Sequence, residues 1–335
     1  MSVHPFGEAP DGAEIQEIRL ASAAGATASI ITFGAALRDL IVPTASGERR
    51  RVVLGYPTLD GYLGNEAYLG VTVGRHASRI AGGRFVLDGE TFDLSRNDRG
   101  RHHLHGGAAG FSRRPWRILA ADGTSVLLAL TSPDGDQGYP GTVEAQCLYR
   151  LIEPSTLRIV LTATTDAATL VAMAHHSYFS LAPGESSRNH HLQVNARFYT
   201  PFDDLIPTGE IRSVADTPYD LRRSRPLAEA AGNPGFGYDM IFVLDPLAPR
   251  PQAILRSPNG SLSMETHTTE PCLIVYDGGK LLTHASGLDG EPYSAHAGLC
   301  LEPMRFPDSQ NIPWFQPSVL RRGELYRQVT EYRFQ

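Results

Sequence analysis

Two neighbouring stretches of the chain alternate apolar and polar residues with a period of two. Residues 142–152 place apolar or aromatic side chains at every second position, and residues 157–164 repeat the pattern. Pro154 and Ser155 separate the two runs as a turn. A period of two puts successive side chains on opposite faces of a strand, so the pattern predicts an antiparallel hairpin with one dry face.

Further runs of residues are also predicted to be strands. They lie at residues 125–132, 191–202, 252–257, 261–268 and 272–279. No amphipathic helix longer than two or three turns is indicated, and strands do not alternate with helices as in βαβ folds. The 33 glycines and 24 prolines suit many strands joined by turns. We therefore predict an all-β chain, a large antiparallel β-sandwich in which residues 1–335 form a single domain.

Composition excludes several classes of partner. With 41% hydrophobic and 20% charged residues, the chain has the balance of a soluble globular protein. The net charge of −6 and the lack of a basic block argue against nucleic acid as a partner. No apolar run approaches the roughly 20 residues of a membrane-spanning helix, and the N-terminal residues lack the pattern of a secretion signal.

The cysteines bear on the compartment. Cys147, Cys272 and Cys300 lie far apart and have no metal-binding or redox spacing. Buried free thiols in a reducing compartment account for this pattern, so we expect a cytoplasmic protein.

Glu302 stands at the end of an apolar run, residues 299–301, which we expect to stop at Pro303. A carboxylate fixed where a buried strand meets a loop is well placed to act as a general base. A lone glutamate at a strand end is more often part of a structural ion pair, so the interpretation needs a partner. His176 is the best candidate, and since adjacent strand residues face opposite ways, only one of His175 and His176 can face the same cleft.

Three segments resemble, in order and spacing, the signature segments of the aldose 1-epimerases, the galactose mutarotase family. They are the stretch from GRHASRIAGGRF (74–85) to LHGG (104–107), AHHSYFSL (174–181) and GLCLEPMRFPDSQN (298–311). The resemblance covers most of the chain. It implies the galactose mutarotase-like supersandwich, a cleft on the concave face of one sheet, and a monosaccharide, an aldose, as the substrate.

Roles for individual residues follow from the resemblance. Glu302 matches the glutamate that acts as the base, and His176 matches the histidine that acts as the acid. The expected substrate contacts are Ser78, Arg79, His105, Tyr178, Asp239 and Ile274. The residue types agree with this, since the fork of donors on Arg79 suits sugar hydroxyls. We also expect Arg75 to share a face with Arg79, and Gly106 and Gly107 to let the backbone approach the ligand closely.

The chemistry of anomer exchange also requires one base and one acid. Ring opening needs a base for the proton of the anomeric hydroxyl and an acid for the ring oxygen, and closure exchanges the roles. One carboxylate and one imidazolium suffice, each favouring the other's charged form, so we expect no cofactor. His102, His103 and His105 invite a zinc interpretation. Because no acidic residue or cysteine completes the set nearby, we expect no metal.

Four positions depart from the galactose-active pattern. The family often has Asn at Ser78 and His175, and Gln at Ile274 and Met304. If both apolar side chains face the cleft, two amide groups are lost there, so the preferred sugar, whether hexose, pentose or deoxy sugar, is left open. A register shift of one residue would turn Ile274 into the core.

Two other functions remain open from the sequence alone. Glu302 and Asp239 could serve as the carboxylate pair of a glycoside hydrolase. The chain could also be a non-catalytic carbohydrate-binding protein, because β-sandwiches host many lectins. Either a monomer or a homodimer is compatible with the sequence.

Overall fold

The computed structural model describes residues 2–231, 236–245 and 251–335. The strands in chain order are β1 (Ser2–Glu8), β2 (Glu14–Ala21), β3 (Thr27–Ile31), β4 (Ala36–Pro43), β5 (Arg49–Arg51), β6 (Thr72–Val73), β7 (Arg79–Ile80), β8 (Arg84–Leu87), β9 (Glu90–Asp93), β10 (His103–Leu104), β11 (Arg117–Ala121), β12 (Ser125–Ser132), β13 (Val143–Ile152), β14 (Thr156–Thr165), β15 (Thr169–Leu170), β16 (Ala174–His175), β17 (Tyr178–Phe179), β18 (His191–Val194), β19 (Phe198–Thr200), β20 (Phe202–Asp203), β21 (Ile206–Pro207), β22 (Arg212–Ser213), β23 (Arg225–Pro226), β24 (Asp239–Val243), β25 (Ala253–Arg256), β26 (Ser263–Thr268), β27 (Cys272–Tyr276), β28 (Leu299–Met304), β29 (Val319–Leu320) and β30 (Tyr326–Phe334).

Helices are short throughout the described residues. The α-helices are α1 (Leu59–Leu63) and α2 (Leu227–Ala231), and single turns of 3₁₀ helix lie at Ala81–Gly83, Phe111–Arg113, Asp136–Gly138 and Ser187–Asn189. Within the described ranges, no helix has the length and apolar character needed to cross a membrane.

Three large antiparallel sheets make up the fold. The first has nine strands in the order β11-β12-β13-β14-β30-β26-β25-β18-β23, and the second has six in the order β17-β28-β27-β24-β19-β22. The third contains β1 to β5 in chain order, and the structure also has several two-stranded ribbons. The prediction of an all-β, antiparallel architecture is therefore confirmed.

The predicted hairpin is the centre of the nine-stranded sheet. β13 and β14 pair in unbroken register from Val143 opposite Thr165 to Ile152 opposite Thr156. The prediction of one strand over residues 191–202 is wrong, because the chain there passes from the nine-stranded sheet (β18) to the six-stranded sheet (β19). A single alternating run in the sequence therefore serves two different sheets.

The six-stranded sheet is buried on both faces. Leu273 and Leu301 belong to the main hydrophobic core, which also contains the dry face of the hairpin. Cys272 and Cys300 belong to a second hydrophobic cluster on the opposite face. Burial on both faces explains why the segment before Glu302 reads as a continuous apolar run rather than as an alternating one.

The strand that carries Glu302 does not end at Pro303. β28 continues to Met304, and its pairing with β27 includes Leu273 opposite Pro303. A proline is compatible with a strand where its missing N–H would face an uncovered edge. That edge exists here because β17 covers β28 only at Leu299 and Cys300.

Candidate active site

A cavity of about 210 Å³ lies on the face of the six-stranded sheet that points away from the main core. It is lined by Glu66, Ala67, Tyr68, Ser78, Arg79, Arg99, Leu104, His105, His176, Tyr178, Asp239, Ile274, Tyr276, Lys280, Leu281 and Glu302. All eight residues predicted for the site are among them. A larger cavity, of about 370 Å³ and lined in part by Arg51 and His296, contains none of these eight.

Glu302 and His176 meet at the floor of the cavity. Glu302 lies on β28 directly opposite Ile274 of β27. The backbone N–H of His176 donates to the carbonyl of Val71 at 3.0 Å, and its carbonyl accepts from Gly70 at 2.9 Å. These contacts bring His176 Nε2 to 3.6 Å from Glu302 Oε1, with both side chains buried.

Burial dominates the electrostatics of this pair. It lowers the pKa of His176 to about 4. It also raises the pKa of Glu302 well above its usual range, and the charge of Asp239 adds to that rise. Desolvation opposes both charges and therefore acts against the mutual attraction that was expected to favour the charged form of each partner. Between the two pKa values the pair holds one proton, and burial favours its place on Glu302.

His175 occupies the opposite side of the chain. Its Nδ1 lies 3.2 Å from the Tyr149 hydroxyl and its Nε2 lies 2.6 Å from Ser177 Oγ, both in the interior. Burial lowers the pKa of His175 to about 3. Of the two adjacent histidines, it is therefore His176 that faces the cavity.

The histidines of the segment 101–107 point in different directions. His102 Nδ1 accepts from Gly82 N–H at 3.2 Å, and His103 Nδ1 lies 2.7 Å from the carbonyl of Ser95. His105 Nδ1 accepts from Ser78 N–H at 3.1 Å. These contacts separate the ring nitrogens, so their closeness in sequence does not create a common ligand set.

A different group of donor atoms does lie close together. Ligand atoms of His176, Cys300 and Glu302 are within 4.8 Å of one another. Burial raises the pKa of the Cys300 thiol well above its ordinary value, which disfavours the thiolate that metals bind. Cys300 Sγ lies 3.8 Å from His176 Nδ1, which leaves Nε2 as the nitrogen facing Glu302.

Ser78 and His105 hold one another in place. His105 N–H donates to the Ser78 carbonyl at 3.0 Å, the counterpart of the bond from Ser78 N–H to His105 Nδ1. Because Nδ1 accepts, the proton of the neutral ring is on Nε2, which makes that atom a donor. Gly106 has φ +84°, and a Cβ there would lie 1.7 Å from the Gly74 carbonyl oxygen. The expectation that Gly106 admits a ligand is therefore wrong at this position, because the close approach is to the protein's own backbone.

The two arginines of the segment 74–79 do not share a face. Arg79 lines the cavity, and its Nε donates to Asp98 Oδ2 at 2.7 Å. Arg75 is buried, and its guanidinium donates to Ser132 Oγ and to the carbonyl of Pro133. The prediction of a shared face is wrong because the segment between them is not an extended strand, and Ser78 has φ +59°.

Asp239 lies at the start of β24, opposite Tyr276 of β27. Burial raises its pKa, while the charges of Arg79 and Lys280 act in the other direction. Among the described residues its carboxylate has neither a hydrogen bond nor an ion pair. It is an unpartnered acceptor at the edge of the cavity.

The other two predicted contacts, Tyr178 and Ile274, are aromatic and apolar. Tyr178 places its ring 5.3 Å from that of His176, and its hydroxyl donates to the carbonyl of Ala67 at 3.0 Å. Ile274 faces the cavity, while Val275 faces the main core, so the register is the one that turns Ile274 inward. Met304 shares the face of Ile274 but is fully buried outside the cavity lining.

Several residues that line the cavity were not predicted from the sequence. Tyr276 carried a usable signal, since it follows Ile274 by two positions on a strand. Lys280 carried another, because it is the only lysine in the 335 residues. Tyr68, whose ring lies 4.6 Å from that of His105, has no sequence pattern that would reveal it.

Comparison with known proteins gives a consistent result. The family model described as aldose 1-epimerase matches residues 16–333. An aldose 1-epimerase of Escherichia coli (strain K12) is 38% identical over 338 residues, covering 97% of each chain. The galactose mutarotase of Homo sapiens is 35% identical over 339 residues, covering 98% of this chain and 97% of its own.

Solved structures agree with this comparison. The aldose epimerase homologue of C. elegans superimposes with a TM-score of 0.91 at 30% identity, covering 95% of this chain and 98% of that one. The galactose 1-epimerase of Lactobacillus acidophilus NCFM gives a TM-score of 0.85 at 26% identity and covers 98% of that chain.

Proposed function

The chain belongs to the aldose 1-epimerase family, and we propose that Glu302 and His176 are the base and the acid with which it interconverts the α and β anomers of a free aldose. The observation that carries this assignment is the buried pair itself, with His176 Nε2 3.6 Å from Glu302 Oε1. The anomeric oxygen and the ring oxygen of a sugar are bonded to the same carbon. Two groups that serve these oxygens must therefore lie close together, as this pair does.

The reaction needs one proton on the pair. In the active arrangement the Glu302 carboxylate accepts the proton of the anomeric hydroxyl while the His176 imidazolium protonates the ring oxygen, and the C–O bond breaks. Rotation about the C1–C2 bond of the open aldehyde exposes its other face. The proton then returns from Glu302 to the carbonyl oxygen, His176 accepts the proton of the attacking hydroxyl, and the ring closes.

Substrate binding favours the charged form of the pair. Burial alone favours the neutral form, with a protonated Glu302 and a neutral His176. The anomeric hydroxyl of a bound sugar donates to the carboxylate, and hydrogen bonds to a charged carboxylate favour ionisation. The neutral form matches the open-chain stage, so both arrangements of the same proton occur within one catalytic cycle.

The polar groups around the pair position the sugar. Arg79 keeps donors on its guanidinium beyond the bond to Asp98, and His105 offers Nε2–H. Asp239 offers an acceptor at the edge of the cavity. Tyr178 and Ser78 complete the contacts that we propose. Such a set of donors and acceptors around a small cavity fits a ligand whose surface is mostly hydroxyl.

We propose further that the sugar is an aldose with fewer or differently placed hydroxyls than galactose. Ile274 presents an apolar side chain directly across from Glu302, where the galactose-active pattern often has glutamine. An apolar wall discriminates between sugars only weakly, whereas an amide discriminates strongly. Pentoses and deoxy sugars are the candidates.

Organisation and compartment are part of the proposal. One hydrophobic core contains residues from Ile18 to Phe334, which supports a single domain over residues 1–335. Cys147, Cys272 and Cys300 are free and buried, which supports a reducing, cytoplasmic location. We propose a monomer or a homodimer that uses neither nucleic acid nor a membrane.

A polarimetric assay tests the assignment. The wild-type protein should accelerate the mutarotation of freshly dissolved α-galactose or α-xylose, and EDTA should leave the rate unchanged. Glu302→Gln and His176→Asn should each lower kcat by at least ~10²-fold, the scale of general acid–base groups. The double variant should be little worse than the poorer single variant, because both groups act in one step.

Two further measurements separate the alternatives. Release of nitrophenol from an aryl galactoside would select a hydrolase using Glu302 and Asp239, and sugar binding without either activity would select a binding protein. If the two single losses multiply in the double variant, the residues do not act together and the assignment is wrong.

A further inference from the structure

Lys280 combines two properties that the proposed chemistry does not use. It is the only lysine in the sequence, in which Lys and Arg together number 30. Its exposed side chain lines the mouth of the cavity. Every other basic residue of the Lys and Arg type in this chain is an arginine. The occurrence of the one lysine beside the cavity therefore needs a physical explanation.

The backbone at Lys280 is held rigidly. Its N–H donates to the hydroxyl of Tyr276, itself a cavity residue, at 2.8 Å. Within the same turn, Gly279 N–H donates to Asp277 Oδ1 at 3.0 Å. Gly278 has φ +74°, and a Cβ there would lie 2.4 Å from the Gly298 carbonyl oxygen. The turn therefore presents the lysine from a fixed origin.

The ammonium group of Lys280 has no partner within the described part of the chain. Among the residues that the structure describes, it makes neither a hydrogen bond nor an ion pair. It is near enough to Asp239 for its charge to lower the pKa of that carboxyl, yet the two do not form an ion pair. A donor-only group and an acceptor-only group thus face the same cavity with a gap between them.

Hydroxyl chemistry fits this gap. An ammonium group only donates and a carboxylate only accepts, whereas a hydroxyl does both. One sugar hydroxyl placed between them accepts from Lys280 and donates to Asp239, and both bonds are charge-assisted. Ile274, on the strand that leads into the turn, supplies no polar group that could compete for this hydroxyl.

We propose that Lys280 is a specificity-determining residue that binds, together with Asp239, one hydroxyl of the sugar. The inference rests on the proposed function, since it names a contact within that substrate site. It makes one hydroxyl essential at a site whose neighbouring wall at Ile274 is apolar. Selection among aldoses thereby depends on where that hydroxyl lies rather than on how many hydroxyls the sugar has.

The first test pairs a variant with a deoxy sugar. Lys280→Met keeps the length and apolar stem of the side chain and removes the donor, and it should raise KM about tenfold with little change in kcat, the lower end of a charge-assisted hydrogen bond. Lys280→Arg should recover part of the loss. For one member of a panel of monodeoxy galactoses, kcat/KM relative to galactose should be about tenfold lower with the wild type, and the reduction should be much smaller with Lys280→Met.

Arg322→Gln is the matched control, because it removes one exposed positive charge that does not line the cavity. It should leave KM for every sugar unchanged. The proposal is wrong if Lys280→Met leaves KM unchanged, as the control does. It is also wrong if the variant and the missing hydroxyl reduce kcat/KM independently for every deoxy sugar, because Lys280 then contacts none of these hydroxyls.

The second test needs no turnover. Because the chain has one lysine, an amine-selective acylating reagent labels one side chain, which peptide mass spectrometry separates from the N-terminus. Saturating sugar should slow the labelling of Lys280 several-fold in the wild type and in Glu302→Gln. Labelling that sugar does not slow overturns the contact, and a protein that is protected by sugar but shows no mutarotation overturns the proposed function and leaves the contact standing.

Discussion

His76 offers a direct test of how burial controls the ionisation of this chain. The residue precedes the cavity segment Ser78–Arg79 and is buried, and neither of its ring nitrogens has a hydrogen-bond partner among the described residues. Burial lowers its pKa to about 4, and the charges of His103 and Arg305 add to the effect. A histidine that is neutral in the folded state and free to protonate in the unfolded state destabilises the fold as the pH falls.

The magnitude follows from the two pKa values. Above about pH 6.5 the ring is neutral in both states and contributes no pH dependence. Between pH 6.5 and pH 4 only the unfolded state takes up the proton, at about 1.4 kcal/mol per pH unit. At pH 5 the wild type has therefore lost about 2 kcal/mol through His76 relative to pH 7.

His76→Leu isolates this contribution. The leucine has a similar volume and no group to protonate, so titrating residues that do not interact with His76 cancel in the difference between the two proteins. Urea unfolding at pH 7 and pH 5 should show the free energy of unfolding of the variant gaining about 2 kcal/mol on the wild type between the two pH values. His4→Leu is the control, because that side chain is exposed and should give no such change.

A difference that stays constant with pH would refute the reasoning. It would mean that His76 keeps the same affinity for protons in both states, which requires a partner for its ring within the folded protein. The same account of His176 would then lose its support, since burial is also the first cause of its lowered pKa.

Two further predictions concern the cavity. Asp239→Asn should move the alkaline limb of the kcat/KM profile to lower pH, because the Asp239 charge is one cause of the raised pKa of Glu302, and an unchanged limb would contradict this. Ile274→Gln should raise kcat/KM for galactose relative to xylose by roughly 3- to 10-fold, the worth of one neutral hydrogen bond. If the kcat/KM values for galactose, glucose, xylose, arabinose and fucose keep their wild-type ratios in the variant, Ile274 does not contact the sugar.

The parts of the fold that the sequence predicted are those where one strand belongs to one sheet. The hairpin β13–β14 alternates cleanly because one of its faces lies on the core along its whole length. Residues 191–202 were misjudged because the chain changes sheets there without losing its strand-like pattern. Periodicity reports burial of a face, and it contains no information on which sheet buries it.

The sequence motifs predicted which residues line the candidate site. They could not predict how the tertiary structure places these residues or shifts their pKa values. The placement of Glu302 beside His176 depends on pairing between β28 and β17 and on the contacts of His176 with Val71, which span more than 100 residues. The expectation for their ionisation weighed the charges without desolvation. The charges can be expected from the residue types, whereas desolvation depends on burial in the folded structure.

The depth of the pair is consistent with the reaction and argues against hydrolysis. Glu302 and His176 are buried beneath aromatic neighbours, with the rings of Tyr68 and Tyr178 within 6 Å of the imidazole. A hydrolase must admit a water molecule as a reactant, whereas in the proposed anomer exchange protons pass only between the sugar and the pair. Each cycle returns both groups to their starting protonation, so no proton has to come from bulk water.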